Sequence, residues 1–191
     1  MLIIGIAVGG LVLFVVRQQP VTDRPPPTPR DWQLTFDPGL ESEPSWSPDA
    51  HLIAYSSDRS GNFDIWVQPV GEGNAVRVST SPAHDWQPDW APDGSRLVFR
   101  SERDGGGLFV VPVLGGNERK ISSFGYRPRW SPDGRMIAFT GELRDRDHPK
   151  VWLAPASGGV PSILAADGLD LIPTGLEWSS SAFWPRSQSK S

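Results

Sequence analysis

A tryptophan followed by a Ser/Ala-Pro-Asp turn occurs three times in this chain, and that recurrence leaves few folds open. The segments are EPSWSPDAHLIAYSS from Glu43, QPDWAPDGSRLVFRS from Gln87 and RPRWSPDGRMIAFTG from Arg127. Their Pro-Asp pairs, Pro48-Asp49, Pro92-Asp93 and Pro132-Asp133, are 44 and 40 residues apart. A period of about 40–45 residues is the length of one four-stranded propeller blade.

Each repeat divides alike. A strand ends at Trp46, Trp90 or Trp130, and a turn follows in which proline presets φ and aspartate bonds to the nearby backbone. Runs of branched and aromatic residues come next: Leu52–Tyr55, Leu97–Phe99 and Met136–Phe139. They read as strands buried on both faces. After a polar hairpin, a third strand carries Ile65–Val67, Phe109–Val111 and Val151–Leu153, closed by Pro69, Pro112 and Pro155. A Gly-rich turn leads to a short fourth strand at Val76–Val78, Arg119–Ile121 and Ser162–Leu164. The twenty glycines and twenty prolines fit a chain of turns and strands. The recurrent tryptophans are expected to pack between neighbouring blades.

These motifs resemble the WD-like Pro-Asp propeller repeats of TolB-type proteins, over roughly residues 32–164. The resemblance implies an all-β fold: an incomplete β-propeller of three four-stranded blades, about 43–79, 87–122 and 127–164, plus part of a fourth. The partial propeller is expected over residues 32–179 and a disordered tail over 180–191. Trp32 to Phe36 reads as an outermost strand without a blade of its own. A fourth repeat begins near Ile172-Pro173 and reaches Glu177-Trp178, but Ser180-Ser181 stands where Pro-Asp belongs. Three blades do not close a normal ring. A fragment of a larger protein is therefore expected, with self-association through open blade edges as a further contact.

The first sixteen residues, MLIIGIAVGGLVLFVV, carry no charge. A signal peptide would have a basic start and a small-residue cleavage site. A core helix would show a polar side. The expectation taken is a transmembrane or signal-anchor helix over residues 1–17, preceding the propeller. Residues 18–31, with VTDRPPPTPR, then form a Pro-rich linker in extended polyproline form. An anchor, a spacer and such repeats resemble the sensor half of bacterial Ser/Thr kinase or winged-helix receptors. That resemblance implies the bacterial inner membrane, with the propeller on the periplasmic side.

The expected function is a membrane-anchored extracytoplasmic module that binds a protein or peptide. The alternative is the accessory propeller of a prolyl-oligopeptidase-like peptidase. A net charge of −4 with no basic stripe gives nucleic acid no footing. The chain has no cysteine, its three histidines lie far apart, and neither a G-x-S-x-G elbow nor a P-loop is present. No enzyme, metal or cofactor is expected. The candidate interaction face is the end that gathers the hairpins after the second strand of each repeat and the connections between blades. It collects Asp58, Arg59, His84, Asp85, Trp86, Glu102, Arg103, Tyr126 and Arg127. Asp58-Arg59 and Glu102-Arg103 recur at one repeat position, which is equally the signature of a hairpin-stabilising role. His84, Asp85 and Trp86 do not recur in the third repeat.

Overall fold

The computed structural model describes residues 33–35, 38–141, 150–164, 176–178 and 183–185. Three four-stranded antiparallel sheets follow one another along the chain. Blade 1 is β1 (Glu41–Trp46), β2 (Leu52–Ser57), β3 (Asp64–Pro69) and β4 (Val76–Arg77). Blade 2 is β5 (Asp85–Trp90), β6 (Arg96–Ser101), β7 (Gly107–Pro112) and β8 (Arg119–Ser122), with a 3₁₀ turn at Arg103–Gly105. Blade 3 is β9 (Tyr126–Trp130), β10 (Met136–Thr140), β11 (Val151–Pro155) and β12 (Ser162–Ile163). A two-stranded sheet, β13 (Leu176–Trp178) and β14 (Phe183–Pro185), comes last, with β13 beside β9. Strand β14 falls inside the stretch expected to be a tail. Strand order equals chain order in every blade, so the all-β propeller reading stands.

The apolar runs of blade 2 form strands buried on both faces because that blade packs against a neighbour on each side. One face of blade 1 (Ala54, Ile65, Val67) meets Trp90, Leu97, Phe99, Phe109 and Val111 of blade 2. The opposite face of blade 2 (Val98, Leu108, Val110) meets Trp130, Ile137 and Phe139 of blade 3. Trp90 and Trp130 are each 5% exposed within these seams, as the repeat implied. Trp90 Nε1 also donates to the Ser45 carbonyl at 2.9 Å. Trp46, the same residue of blade 1, is 51% exposed.

The Pro-Asp turns are closed by short local bonds. In blades 1 and 3, Ser47 and Ser131 Oγ donate to Asp49 and Asp133 at 2.6 Å. The same hydroxyls accept from Leu52 N and Met136 N at 2.9 Å. Blade 2 has Ala91 at that place, and Ser95 Oγ bonds Asp93 from the far side at 2.7 Å. These partners hold all three carboxyls below the ordinary aspartate range: chiefly the serine hydroxyl for Asp49 and Asp133, and the Ser95 N–H for Asp93.

Each innermost strand also carries a bulge just before its proline. Glu43, Gln87 and Arg127 sit at φ 55°, 58° and 51°, where the ladder registers shift. A non-glycine residue at positive φ is uncommon, and one extra residue in a strand bends it. The bulges link the blades. Glu43 accepts from Gln87 N and Nε2, both at 3.0 Å, and Gln87 Oε1 accepts from Arg127 N at 2.7 Å.

Among the described residues no helix is long and apolar enough to cross a membrane. The transmembrane helix placed at residues 1–17 lies outside the described residues, as does the linker at 18–31. The fold is the propeller without a demonstrated anchor. Anchorage through that helix, and the periplasmic inner-membrane placement built on it, are withdrawn.

Candidate functional site

The hairpin end of the blades splits the candidate residues into two sets. The first is internal. Asp85 is fully buried, and both its oxygens accept from Arg103 Nη2, at 2.9 and 3.2 Å. Arg103 also receives support from Ser101 Oγ at 2.7 Å, pairs with Glu118, and lies 4.5 Å from the centre of the Phe109 ring. Burial pushes the Asp85 carboxyl up, against the pull of Ser101, Ser79 and Arg103. In blade 1, Arg59 pairs with Glu41, donates to Tyr55 Oη at 2.9 Å, and lies 4.6 Å from the Trp66 ring centre. Asp58 Oδ1 accepts from Leu40 N at 2.7 Å. The two recurring arginines are thus each sandwiched between a carboxylate and an aromatic of their own blade. Glu102 is exposed beside them.

The second set is an aromatic row. Asn62 Nδ2 donates to the carbonyls of Ser81 and Ala83 at 3.0 and 2.9 Å. This ties the link between blades 1 and 2 to the blade 1 hairpin and brings His84 and Trp86 against Phe63. The Phe63 and Trp86 rings stack at 4.0 Å, His84 is tilted 5.7 Å from Trp86, and Phe63 N donates to His84 Nδ1 at 3.2 Å. Trp86 faces Arg100 across the β5–β6 ladder. Arg100 lies 3.8 Å from the Tyr126 ring centre in blade 3 and donates to the Gly125 carbonyl at 2.9 Å. A series of π and cationic groups therefore crosses two blade seams. Arg127 follows Tyr126, exposed, with its N–H on Gln87.

Phe63 and Arg100 escaped the sequence reading. Phe63 stands just before a strand and Arg100 inside one, and neither position recurs in type. Their roles come from partners 23 and 26 residues away, which no local pattern exposes. Among the described residues no cluster of three or more His, Asp or Glu side chains is placed to hold a metal.

The whole array matches a known architecture. The family model described as the TolB beta propeller domain matches residues 33–174. This chain belongs to that family. Among solved structures the TolB beta propeller of this chain is similar to putative TolB from Agrobacterium tumefaciens. That likeness has 28% identity and a TM-score of 0.58, covering 67% of this chain and 49% of that one. It is similar in fold to TolB from Acinetobacter baumannii at 24% identity and TM-score 0.62, covering 78% and 37%. A chain of a nidogen/laminin complex shares the fold at 15% identity and TM-score 0.58, covering 75% and 54%. The chain thus spans half or less of the TolB structures it matches. No curated protein matches it significantly.

Beside the bulges, Asp89 Oδ2 accepts from Trp130 N at 2.8 Å, and Arg129 lies 3.7 Å from Oδ1. Burial drives the Asp89 carboxyl up to about 6, against Arg129, the Trp130 N–H and Ser45. Between the unfolded aspartate range near pH 4 and about pH 6, the folded chain holds a proton that the unfolded chain has released. Stability therefore falls as pH rises through that window. Asp89→Asn keeps the acceptor for Trp130 N and removes the titration. Urea unfolding between pH 4 and 7 should show a flatter profile, with the variant about 1–2 kcal/mol more stable than the parent at pH 7. An unchanged slope would assign the pH dependence elsewhere.

Proposed function

We propose that this TolB beta propeller is a binding module for a protein or peptide, and that it works through the hairpin end around Phe63, His84, Trp86, Arg100 and Tyr126. The observation that carries the reading is the aromatic and cationic row across two blade seams, tied to main-chain carbonyls by Asn62 and Arg100. Aromatic and arginine side chains are the groups in which interface energy concentrates. Backbone-fixed rings lose little freedom when a partner arrives. The Asp85–Arg103 pair, with Asp85 buried, and the half-buried Arg59–Glu41 pair serve this face from beneath by fixing the hairpins. The reading assigns no catalytic step to this chain and, with its acidic balance, no nucleic acid.

The accessory-propeller alternative, a blade array beside a prolyl-oligopeptidase-like catalytic domain, needs no membrane helix and survives the correction above. It uses the same face toward a different neighbour.

A displayed library of random peptides, selected on the full chain, tests the face. Trp86→Ala and Tyr126→Ala should each lower the affinity of selected peptides by about tenfold or more, with the strand circular dichroism unchanged. Peptides that bind both variants as tightly as the parent would place the working surface elsewhere.

A further inference from the structure

The dipeptide Asp-Gly occurs four times, at Asp93-Gly94, Asp104-Gly105, Asp133-Gly134 and Asp167-Gly168, the last outside the described residues. This pair is prone to rearrange without any enzyme. Glycine has no side chain to shield its nitrogen, and its backbone turns freely. A rotation of the main chain brings that nitrogen onto the carboxyl carbon of the aspartate before it. In a folded chain the rearrangement depends on what holds the carboxyl and on the room around the glycine.

At two of the three described pairs the carboxyl is held twice. Asp93 Oδ1 accepts from Ser95 N at 3.0 Å and from Ser95 Oγ at 2.7 Å. Asp133 Oδ1 accepts from Arg135 N at 3.0 Å and from Ser131 Oγ at 2.6 Å. Each glycine also lies near a proline of the preceding blade. A Cβ on Gly94 would lie 3.9 Å from Pro48 Cδ, and one on Gly134 would lie 3.3 Å from Pro92 Cγ.

Asp104 has none of these restraints. It is exposed in the hairpin between β6 and β7, and its carboxyl takes no hydrogen bond or ion pair among the described residues. A Cβ on Gly105 would meet nothing within 4 Å. The Asp104 backbone, at φ 50° and ψ 40°, is left-handed, where a non-glycine residue is uncommon. The amide nitrogens do not separate the three pairs. Gly94 N and Gly134 N donate to the Ala91 and Ser131 carbonyls at 2.9 Å, and Gly105 belongs to the 3₁₀ turn. The carboxyls separate them.

We propose that Asp104-Gly105 is a self-modification site, at which the folded chain converts to an isoaspartyl linkage while Asp93-Gly94 and Asp133-Gly134 stay intact. The Gly105 nitrogen bonds to Asp104 Cγ. A carboxyl oxygen leaves as water, carrying the amide proton, and a five-membered imide remains. Water then opens the imide. Attack at the side-chain carbonyl restores aspartate, and attack at the main-chain carbonyl leaves the chain running through Cβ with a free α-carboxyl. One water leaves and one returns, so the mass is unchanged and no oxidant or other reactant is needed. The product sits on an exposed hairpin, and its α-carboxyl is the kind of group that carboxyl-methylating repair enzymes modify. This chemistry is separate from the binding reading of the hairpin end.

Ageing the full chain for weeks at neutral pH and body temperature, in a mild detergent, tests the proposal. Electron-transfer mass spectrometry locates β-linked residues peptide by peptide. An isoaspartyl methyltransferase with a labelled methyl donor counts them. Isoaspartate should form at 104 about tenfold faster or more than at 93 or 133, since each of those carboxyls must first give up two hydrogen bonds. In urea the three pairs should convert at similar rates, because only the fold distinguishes them. Ser95→Ala removes one of the bonds to Asp93 and should speed conversion there about threefold or more, with the rate at 104 unchanged. No isoaspartate at 104 in the folded chain, equal rates at the three folded pairs, a preference for 104 that persists in urea, or a rate at 93 indifferent to Ser95→Ala overturns the proposal.

Discussion

Phe139→Ala should remove about 3–5 kcal/mol of folding stability, read as a lower urea midpoint. Phe139 is 0% exposed and fills the seam between blades 2 and 3. Its ring meets Phe124 edge-on at 5.5 Å. Its neighbour Gly125 sits at φ 122°, and a Cβ there would lie 2.5 Å from Phe139 Cδ2, so the ring touches main chain on that side. Two hydrogen-bonded sheets fix the width of the seam, and the cavity left by truncation has no soft wall to collapse into. Since each blade contacts only its neighbours, the damage should be local. Amide exchange in blade 3 should speed up more than exchange in blade 1. A loss under about 1 kcal/mol would mean that the seam is far looser than its packing implies.

Arg103→Ala should cost a similar amount, about 3–5 kcal/mol at pH 7, because it leaves the Asp85 carboxylate buried without its partner. Burial already pushes the Asp85 carboxyl up, and removing the guanidinium raises it further. Asp85 then takes a proton as pH falls, so the penalty should shrink between pH 7 and pH 5. The double change Asp85→Leu with Arg103→Met should recover most of the loss, since an apolar pair of similar volume replaces a buried ion pair at little cost. Urea unfolding of the parent, the single variant and the double variant at both pH values separates these effects. A double variant no better than Arg103→Ala would show that Arg103 acts through its stacking on Phe109 rather than through Asp85.

The repeat was legible because its signals are local. Tryptophan, proline and aspartate in Trp46-Ser47-Pro48-Asp49 make their turn from neighbours within five residues, as the Ser47 bonds show. The position of the strands buried on both faces follows from the apolar runs, and blade order follows from the period. The bulges at Glu43, Gln87 and Arg127 were not legible. A residue before proline is ordinarily extended, and only the inter-blade bonds between these residues account for their left-handed backbone. The site was half legible. Asp58, Arg59 and Arg103 were found as charged hairpin residues and Asp85 as a residue of the link between blades, but whether such a side chain faces solvent or folds beneath its own blade depends on partners such as Glu41, Glu118 and Trp66. Phe63 and Arg100 were invisible because each acts only across a seam. The apolar start of the chain misled in another way. Hydropathy speaks to solvent preference, and neither it nor the Pro-rich spacer after it is a structural observation of an anchor.

The exchange of serine for alanine in the middle Pro-Asp turn has a consequence for how such arrays diverge. Ser47 and Ser131 hold their aspartates from one side, whereas Ser95 holds Asp93 from the other. The aspartate can be held by a hydroxyl on either side of it, although only Ser47 and Ser131 also accept from the strand that follows. Neighbouring units can therefore differ in spelling while the bend they encode stays the same.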